Sequence, residues 1–313
     1  MKLPAGIVLF NPQPARLRDN MEAVYKEAAG LIIVDNASEN QEEIRELLAG
    51  YAHVRYIRNV KNEGIAKALN QICEAAESAG YPFVLTLDQD SVCPEHLLKE
   101  YEKYMSLERT GILCPRVRDR NCSLNSQAGV LKGRASLNGS SPDKNVTVMS
   151  WCITSASLVS IQAWREVNGF DEGMFIDGVD QDFCERIRRK GYRIYRLDTV
   201  TLLHEIGAIC EKRFLFWRVY VKNHSAFRKY YIARNTVFVA RKKRSVRLVA
   251  LSCLRVIRQF LLVLLYEQGK IKKLAAIAKG AWDGTFLQIS SRWKYDKNPK
   301  GRAKGQNQPV KDQ

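Results

Sequence analysis

The side chains best suited to do chemistry are two aspartates that directly follow an apolar segment. Residues 83–90 read FVLTLDQD, which predicts a strand that ends at Asp88, with Asp90 two positions further on. Because side chains alternate along a strand, residues at i and i+2 point to the same side. Two carboxylates on one side can hold Mg2+ or Mn2+, which often complete their coordination with substrate phosphates. The pattern predicts a site for a cation and a diphosphate, although a turn that caps the next helix fits it too.

A second acidic cluster is the candidate source of a general base. Asp177, Asp180 and Asp182 precede a predicted helix that carries arginines towards its end. One of these carboxylates could take a proton from an attacking hydroxyl, although the same charges also suit the helix dipole without any chemistry. His204 follows the strand pattern YRIYRL and is a further candidate ligand, but a lone histidine in this position is more often structural.

These side chains need a scaffold that brings strand ends together. Four short apolar runs, at 6–10, 31–35, 54–58 and 83–88, alternate with amphipathic helical patterns. This alternation predicts an α/β fold with a parallel sheet, whose right-handed connections place the carboxyl ends of the strands at one edge. We therefore expect the polar residues that follow or end these strands to line one crevice: Asn11, Asp35, Asn59 and Asp88.

The remaining pattern of the α/β part is less regular. The helix predicted over 65–78 begins after Asn62 and Gly64, so its first amides could face an anion. A strand over 111–117, a polar irregular insertion over 118–145, a β-rich run over 146–160 and a short helix over 161–167 follow. Neither GxGxxG nor GxxxxGK[ST] occurs, which counts against a nicotinamide dehydrogenase and a P-loop phosphotransferase.

Charge is distributed very unevenly along the chain. The net charge is +17 over 313 residues, and residues 212–313 hold 25 basic and 4 acidic side chains. A basic block of this kind predicts a polyanionic partner, either nucleic acid or the anionic cytoplasmic surface of a membrane. We predict three parts: an α/β domain over 1–211, a basic, apolar-rich helical region over 212–295, and a disordered tail over 296–313.

The apolar stretch over 246–267 is the candidate membrane contact. Arg247, Arg255 and Arg258 interrupt it, so no charge-free stretch reaches the roughly 18–20 residues that span a bilayer. An in-plane helix at the lipid interface fits the pattern, and so do helices that pack on the α/β domain or on a second subunit of a homo-oligomer. The eight cysteines form no CxxC pair and no signal peptide pattern is seen, which favours a reducing, cytoplasmic compartment.

Several motifs together resemble a known family. They are VDNAS from Val34, NEGIAKALN from Asn62, LTLDQD from Leu85, NGFDEGMFIDGVDQDFCERIRRKGY from Asn168, LLHEIG from Leu202 and YYIARN from Tyr230. Over residues 5–240 the chain resembles the inverting family 2 glycosyltransferases, and among them the bacterial dTDP-rhamnosyltransferases of polysaccharide biosynthesis. The resemblance implies an α/β, GT-A (Rossmann-like) fold with a mixed, mostly parallel sheet flanked by helices, followed by a basic C-terminal helical extension.

The resemblance also implies a role for each candidate residue. Asp180 is the expected catalytic base, and Asp90 and His204 are the expected metal ligands. The expected donor-binding residues are Asp35, Asn62, Gly64, Asp88 and Ser155. Because Val179 stands where the family more often has glutamate, Asp177 and Asp182 remain rivals of Asp180 as the base.

The expected reaction is metal-dependent transfer of L-rhamnose from dTDP-rhamnose to a lipid-linked saccharide, with Mg2+ or Mn2+ as cofactor and the enzyme peripherally bound at the cytoplasmic face of the membrane. A family 2 transferase that uses a UDP- or GDP-linked sugar is the alternative within this class. A nucleic-acid-binding protein is the alternative from another class, although no recognised DNA or RNA module appears. A nucleotidyltransferase is disfavoured because the glycine-rich, basic amino-terminal signature for a triphosphate is missing.

Overall fold

The amino-terminal part of the protein alternates strands and helices, as the sequence pattern predicts. The computed structural model describes residues 2–119, 143–204, 210–214, 217–293 and 295. The first four strands are β1 (Ala5–Leu9), β2 (Leu31–Asp35), β3 (Val54–Arg58) and β4 (Phe83–Asp88). The helices that connect or follow them are α1 (Pro14–Tyr25), α2 (Gln41–Ala49), α3 (Ile65–Ser78) and α4 (Leu97–Glu102).

The next part completes the sheet with four further strands and two helices. They are β5 (Thr110–Asp119), β6 (Val146–Met149), β7 (Ser157–Ser160), α5 (Ile161–Glu166), α6 (Val179–Arg189) and β8 (Arg193–His204). The predicted β-rich run over 146–160 is two separate strands, and β5 is longer than predicted. Most of the predicted polar insertion, residues 120–142, lies outside the described residues.

The strands form one mixed sheet in the order β3-β2-β1-β4-β7-β5-β8-β6. Strands β1 to β4 are parallel, β7 is antiparallel to both β4 and β5, and β5 is parallel to β8. Strands β5 and β8 therefore run in the same direction as β1 to β4, and six carboxyl ends meet at one edge. The prediction of a mixed, mostly parallel sheet is confirmed.

Helices cover both faces of the sheet, so its central strands are buried on both sides. All five residues of β1 are buried. Helices α3, α5 and α6 pack on one face, and α1, α2 and α4 pack on the other. The approach of α3 to β1 depends on Gly6, since a Cβ there would lie 2.2 Å from the side chain of Ile72.

The carboxyl-terminal part is a helical extension. A hairpin of β9 (Cys210–Phe214) and β10 (Trp217–Val221) precedes α7 (Ala226–Lys242), α8 (Val246–Tyr266) and α9 (Lys270–Phe286). Helices α7 and α9 cross closely at two glycines of α9. A Cβ at Gly280 would lie 2.2 Å from the carbonyl oxygen of Tyr230, and one at Gly284 would lie 2.4 Å from that of Arg234.

Helix α8 differs from its neighbours in its exposure. Only Ser252 and Val263 of its 21 residues are buried. By length and composition alone α8 could cross a membrane, since its most apolar 18-residue window has a mean hydropathy of 2.1. The apolar face of α8 is therefore left uncovered in the described part of the chain.

Candidate active site

Three potential metal ligands meet at the sheet edge. Asp88 is the last residue of β4, Asp90 lies in the turn after it, and His204 is the last residue of β8. One ligand atom from each lies within 4.8 Å of the others. Nδ1 of His204 is 3.8 Å from Oδ2 of Asp88 and shares a 2.7 Å hydrogen bond with Oγ of Ser91. Two carboxylates and an imidazole suit Mg2+ or Mn2+, so these residues fit the predicted cation.

A hydrogen bond from a buried serine orients the Asp88 carboxylate. The Ser155 hydroxyl, itself buried, donates a short hydrogen bond to Oδ2 of Asp88. Burial raises the pKa of the Asp88 carboxyl, the charge of Asp90 raises it further, and His204 and the Ser155 hydrogen bond act in the opposite direction. Ionisation of Asp88 is therefore less favourable than in water, and a bound cation would offset this effect.

Asp180 lies at the start of α6, close to this cluster. The helix begins at Val179 after Gly178, whose φ of 82° is readily adopted by glycine. The Thr154 hydroxyl donates to Oδ1 of Asp180 at 3.1 Å. Burial first, and the charge of Asp88 second, raise the pKa of Asp180 to about 7, against the Thr154 hydrogen bond. A carboxylate with this pKa can accept a proton near neutral pH.

The two rival aspartates are engaged elsewhere. Asp177 receives hydrogen bonds of 3.1 to 3.2 Å from the Arg228 guanidinium. The Asp182 side chain is fully buried. Its oxygens accept hydrogen bonds of 2.7 Å each from three side chains: Arg186, Lys242 and Tyr295. The geometry thus favours Asp180 as the carboxylate that can meet an acceptor hydroxyl.

The Asp35 carboxylate is more enclosed than the sequence pattern suggested. It is fully buried and accepts hydrogen bonds from the backbone N–H of Ser38 at 2.9 Å and the Tyr56 hydroxyl at 2.7 Å. Both of its oxygens therefore have partners within the protein. Its contact with a nucleobase or ribose stays a prediction.

The start of α3 and the residues before it pack against the backbone of the loop that contains Phe175. Oδ1 of Asn62 accepts a hydrogen bond from the backbone N–H of Gly64, which has a φ of 85°. A Cβ at Gly64 would lie 2.6 Å from the carbonyl oxygen of Phe175, and that oxygen accepts the N–H of Ile65 at 2.8 Å. The expectation that the first amides of α3 face an anion is wrong, because the first of them already donate to the Phe175 carbonyl. Donor contacts of Asn62 and Gly64 stay predictions.

Helix α7 supplies two site residues whose role the sequence did not reveal. Nδ2 of Asn235 donates hydrogen bonds of 2.7 to 2.9 Å to three backbone carbonyls, those of Met174, Ile176 and Asp177. Arg234 donates at 2.7 Å to the carbonyl of Gly173 and also to that of Met174. Both residues belong to the YYIARN motif, which was the only sequence signal that could have found them.

These bonds hold a loop with an unfavourable backbone. Phe175 has a φ of 60° and Asp177 a φ of 64°, a conformation that costs a residue with a side chain about 1–3 kcal/mol. The loop leads directly into Gly178 and the start of α6, where Asp180 lies. Helix α7 therefore helps to set the position of the candidate base.

Known structures share this architecture. TarS from S. aureus in complex with UDP-GlcNAc aligns over 90% of this chain and 80% of its own, with a TM-score of 0.54 and 16% identity. GalNAc-T7 with UDP, GalNAc and Mn2+ aligns over 77% of this chain and 48% of its own, also with a TM-score of 0.54 and 16% identity. At this identity the likeness concerns the fold, which is the GT-A fold of glycosyltransferases.

Sequence comparisons give the family. Residues 6–155 match the family described as Glycosyl transferase family 2. The chain is 28% identical over 244 residues to the dTDP-rhamnosyl transferase RfbF of Shigella flexneri, covering 76% of this chain and 79% of that protein. A shorter match, 36% identical over 58 residues, covers 18% of this chain and 22% of the rhamnosyltransferase WbbL of Escherichia coli. Residues 6–155 therefore match the family 2 glycosyltransferases, and the chain is a glycosyltransferase, as its motifs predict.

Proposed function

We propose that this protein is an inverting, metal-dependent rhamnosyltransferase that moves L-rhamnose from dTDP-rhamnose to a lipid-linked saccharide. The observation that carries the choice of donor is the similarity to a dTDP-rhamnosyl transferase over 76% of the chain. The positions of Asp88, Asp90 and His204 support a sugar donor that carries a diphosphate, because these three ligands fit a cation that binds phosphate oxygens.

Direct displacement at the anomeric carbon accounts for the roles of the site residues. The acceptor oxygen forms a bond to the anomeric carbon while the bond to the diphosphate oxygen breaks, and the diphosphate leaves with the electron pair. The proton of the acceptor hydroxyl passes to Asp180, which Thr154 orients through its 3.1 Å hydrogen bond. Attack on the face opposite the leaving group inverts the anomeric configuration.

Asp88, Asp90 and His204 would hold Mg2+ or Mn2+, which when bound offsets the charge that develops on the departing diphosphate. Ser155 fixes the orientation of Asp88 through its hydroxyl. The carboxylate at the end of β4 thus serves the leaving group, and the carboxylate at the start of α6 serves the nucleophile.

We further propose that the enzyme binds the cytoplasmic face of a membrane through α8. Exposed apolar side chains form a stripe along this helix at intervals of three and four residues: Leu254, Ile257, Leu261 and Leu265. The basic carboxyl-terminal third complements anionic lipid headgroups. An acceptor attached to a lipid would then be presented at the surface where the enzyme resides.

The donor is tested by thermal stabilisation of the purified protein with dTDP-, UDP- and GDP-sugars, each with and without Mg2+ or Mn2+. We expect dTDP-rhamnose with metal to raise the melting temperature most. Asp90→Ala should lose the metal-dependent part of the shift, because it removes one ligand of the cluster. Asp19→Ala, which removes an exposed carboxylate of α1, is the matched control and should behave as wild type.

Each other outcome of this experiment corrects a different part of the proposal. A selective shift with a UDP- or GDP-sugar would replace the donor and keep the enzyme class. An equal shift with and without metal, unchanged in Asp90→Ala, would overturn the cation site. Salt-sensitive binding of an oligonucleotide, with no response to any nucleotide sugar, would instead favour the nucleic-acid-binding alternative.

A further inference from the structure

A cavity of about 270 Å³ lies next to the candidate active site and has no role in the chemistry described so far. Its walls come from the carboxyl-terminal half of β5, from one residue of β8 and from the segment after β6. The residues that the argument uses are Arg116, Arg118, Met149, Trp151, Ile153 and Arg196. Because β5 runs parallel to β4, the carboxyl-terminal half of β5 that lines the cavity leads to the sheet edge where Asp88 lies.

One wall of the cavity continues directly into the site of the candidate base. Ile153 lines the cavity, and the next residue, Thr154, donates to Asp180. The Cys152 carbonyl in the same wall accepts a hydrogen bond from the Cys184 thiol of α6 at 3.7 Å. The wall is thus fixed to the helix that carries Asp180. A molecule in the cavity would reach Asp180 from the side of β5, whereas Asp88 lies on β4.

The cavity has an excess of positive charge. Arg116 and Arg196 both bond to one carboxylate, that of Asp198, at 3.0 and 2.7 Å. Arg118 is exposed and, within the described part of the chain, makes no ion pair or hydrogen bond. The lining therefore carries three guanidinium groups, two of which share the Asp198 carboxylate. Guanidinium groups bind phosphate oxygens through paired N–H donors, which a neutral ligand would leave unused.

The rest of the lining suits a sugar ring. Trp151 is partly exposed, and buried Met149 lies beside it. Aromatic and apolar side chains with a few fixed polar groups are typical of small-molecule sites. The cavity thus combines an apolar wall near Asp180 with a cationic wall formed by the arginines.

We infer that this cavity is the acceptor site and that Arg118, with Arg116 and Arg196, binds a phosphate or diphosphate group attached to the acceptor. The inference rests on the proposed function, since it requires that the chain glycosylate a lipid-linked saccharide. It goes further by naming the residues that distinguish a phosphorylated acceptor from a neutral one.

The test measures binding by calorimetry with three probes: decyl diphosphate, inorganic pyrophosphate and decyl glucoside. Saturating dTDP and Mg2+ occupy the donor site throughout. We expect decyl diphosphate to bind at least about ten-fold more tightly than decyl glucoside, which corresponds to the contribution of a charge-assisted pair. Arg118→Gln should weaken decyl diphosphate binding several-fold and leave dTDP binding unchanged. Arg193→Gln, at the amino end of β8, is the matched control.

Three outcomes would overturn the inference. Decyl diphosphate could bind Arg118→Gln as tightly as wild type, decyl glucoside could bind as tightly as decyl diphosphate, or pyrophosphate could bind as tightly as decyl diphosphate. The third result would indicate a site for a free anion. Failure of dTDP to bind would instead count against the proposed function, and the comparison of Arg118→Gln with wild type would then be made without dTDP.

Discussion

Three aspartates within six residues have three different environments. Asp177 is paired with Arg228, and Asp182 is enclosed by cationic and phenolic groups. Asp180 accepts hydrogen bonds from Thr154 and has a raised pKa. Spacing along the chain cannot separate them, because all three lie at the start of one helix. Their partners do, since a carboxylate that already neutralises a cation is a poor proton acceptor.

Replacement of Asp180 by asparagine should therefore abolish transfer and spare donor binding. We expect kcat to fall by roughly 10²–10⁴-fold, the usual contribution of a general base, since the amide keeps the shape of the side chain but accepts no proton. Initial rates and calorimetric binding of the donor measure the two effects. Asp177→Asn is the comparison variant, and the assignment fails if it loses turnover while Asp180→Asn retains it.

At the scale of elements, α7 helps to shape the candidate active site although it follows the sheet in sequence. The 173–177 loop lies between the start of α3, which donates to the Phe175 carbonyl, and α7, which donates to four backbone carbonyls through Asn235 and Arg234. Phe175 also stacks on Tyr231 of α7, with ring centroids 4.8 Å apart. Packing on both sides thus holds the strained backbone that leads to Asp180.

Asn235→Ala should impair catalysis more than donor binding. The change removes the amide that donates to the carbonyls of Met174, Ile176 and Asp177, of which that of Met174 keeps Arg234 as a donor, and allows the loop to relax. Misplacement of a catalytic group by about 1 Å can cost ~10²-fold in rate. Steady-state kinetics should show a lower kcat with a nearly unchanged KM for the donor. Thr236→Ala is the matched control, because that hydroxyl bonds only to the Ile232 carbonyl of its own helix. Equal kcat values for the two variants would contradict this role of α7.

A buried ion network joins α7 to α6. The Lys242 ammonium donates to Asp171 and Asp182 at 2.7 Å each, and Arg186 donates to Asp182. Burial alone would raise the pKa of the Asp182 carboxyl, but the Arg186 and Lys242 charges outweigh it and hold the pKa below its ordinary value. Since the folded pKa is lower than the unfolded one, Asp182 stabilises the fold above pH 3.8, and this stability is lost as pH falls through the folded pKa.

Lys242→Met should destabilise the protein in a pH-dependent way. Near neutral pH we expect a loss of about 3–5 kcal/mol in the free energy of unfolding, because buried Asp171 loses its Lys242 partner and buried Asp182 keeps only Arg186 as a cationic partner. The loss should shrink towards about pH 4.5, where Asp182 without the Lys242 charge can take up a proton in the variant. Denaturant unfolding at both pH values measures this, with Lys222→Met as an exposed control. A loss that is equal at both pH values would rule out the electrostatic explanation.

At the scale of the whole molecule, two surfaces are distinct. The sheet edge carries the acidic cluster and Asp180, and the extension carries net positive charge and the exposed stripe of α8. Helices α7 and α9 of the extension pack closely against each other, and α7 also donates hydrogen bonds to the 173–177 loop. The proposed membrane contact and the proposed active site thus belong to one continuous structure.

Binding to anionic vesicles tests the proposed membrane contact. We expect the protein to float with vesicles that contain phosphatidylglycerol and much less with phosphatidylcholine vesicles, and added salt should weaken this binding. Replacement of Leu254, Ile257 and Leu261 by serine should reduce flotation, because it removes the apolar side chains that enter the lipid. Val60→Ser, at an exposed valine of the α/β part, is the control. If the triple variant floats as well as wild type, or elutes as a smaller oligomer, α8 contacts protein instead.

The sequence by itself determined the elements and the class of this protein. Alternating strand and helix periods depend on local residue order, so the four leading strands, α3 and the placement of Asp88 at a strand end followed from the pattern alone. The motif succession likewise pointed to a family 2 glycosyltransferase, which the comparisons confirmed.

Only the tertiary structure decided which polar groups meet. The Asp182–Lys242 pair joins residues 60 positions apart and the Asn70–Glu172 bond joins residues 102 positions apart. Such partners depend on how helices pack across the sheet, which local periodicity does not encode. For the same reason local sequence did not predict three features of the folded chain. They are the burial of Asp35, the hydrogen bond from the first amide of α3 to the Phe175 carbonyl, and the hydrogen bonds from Asn235 to the 173–177 loop.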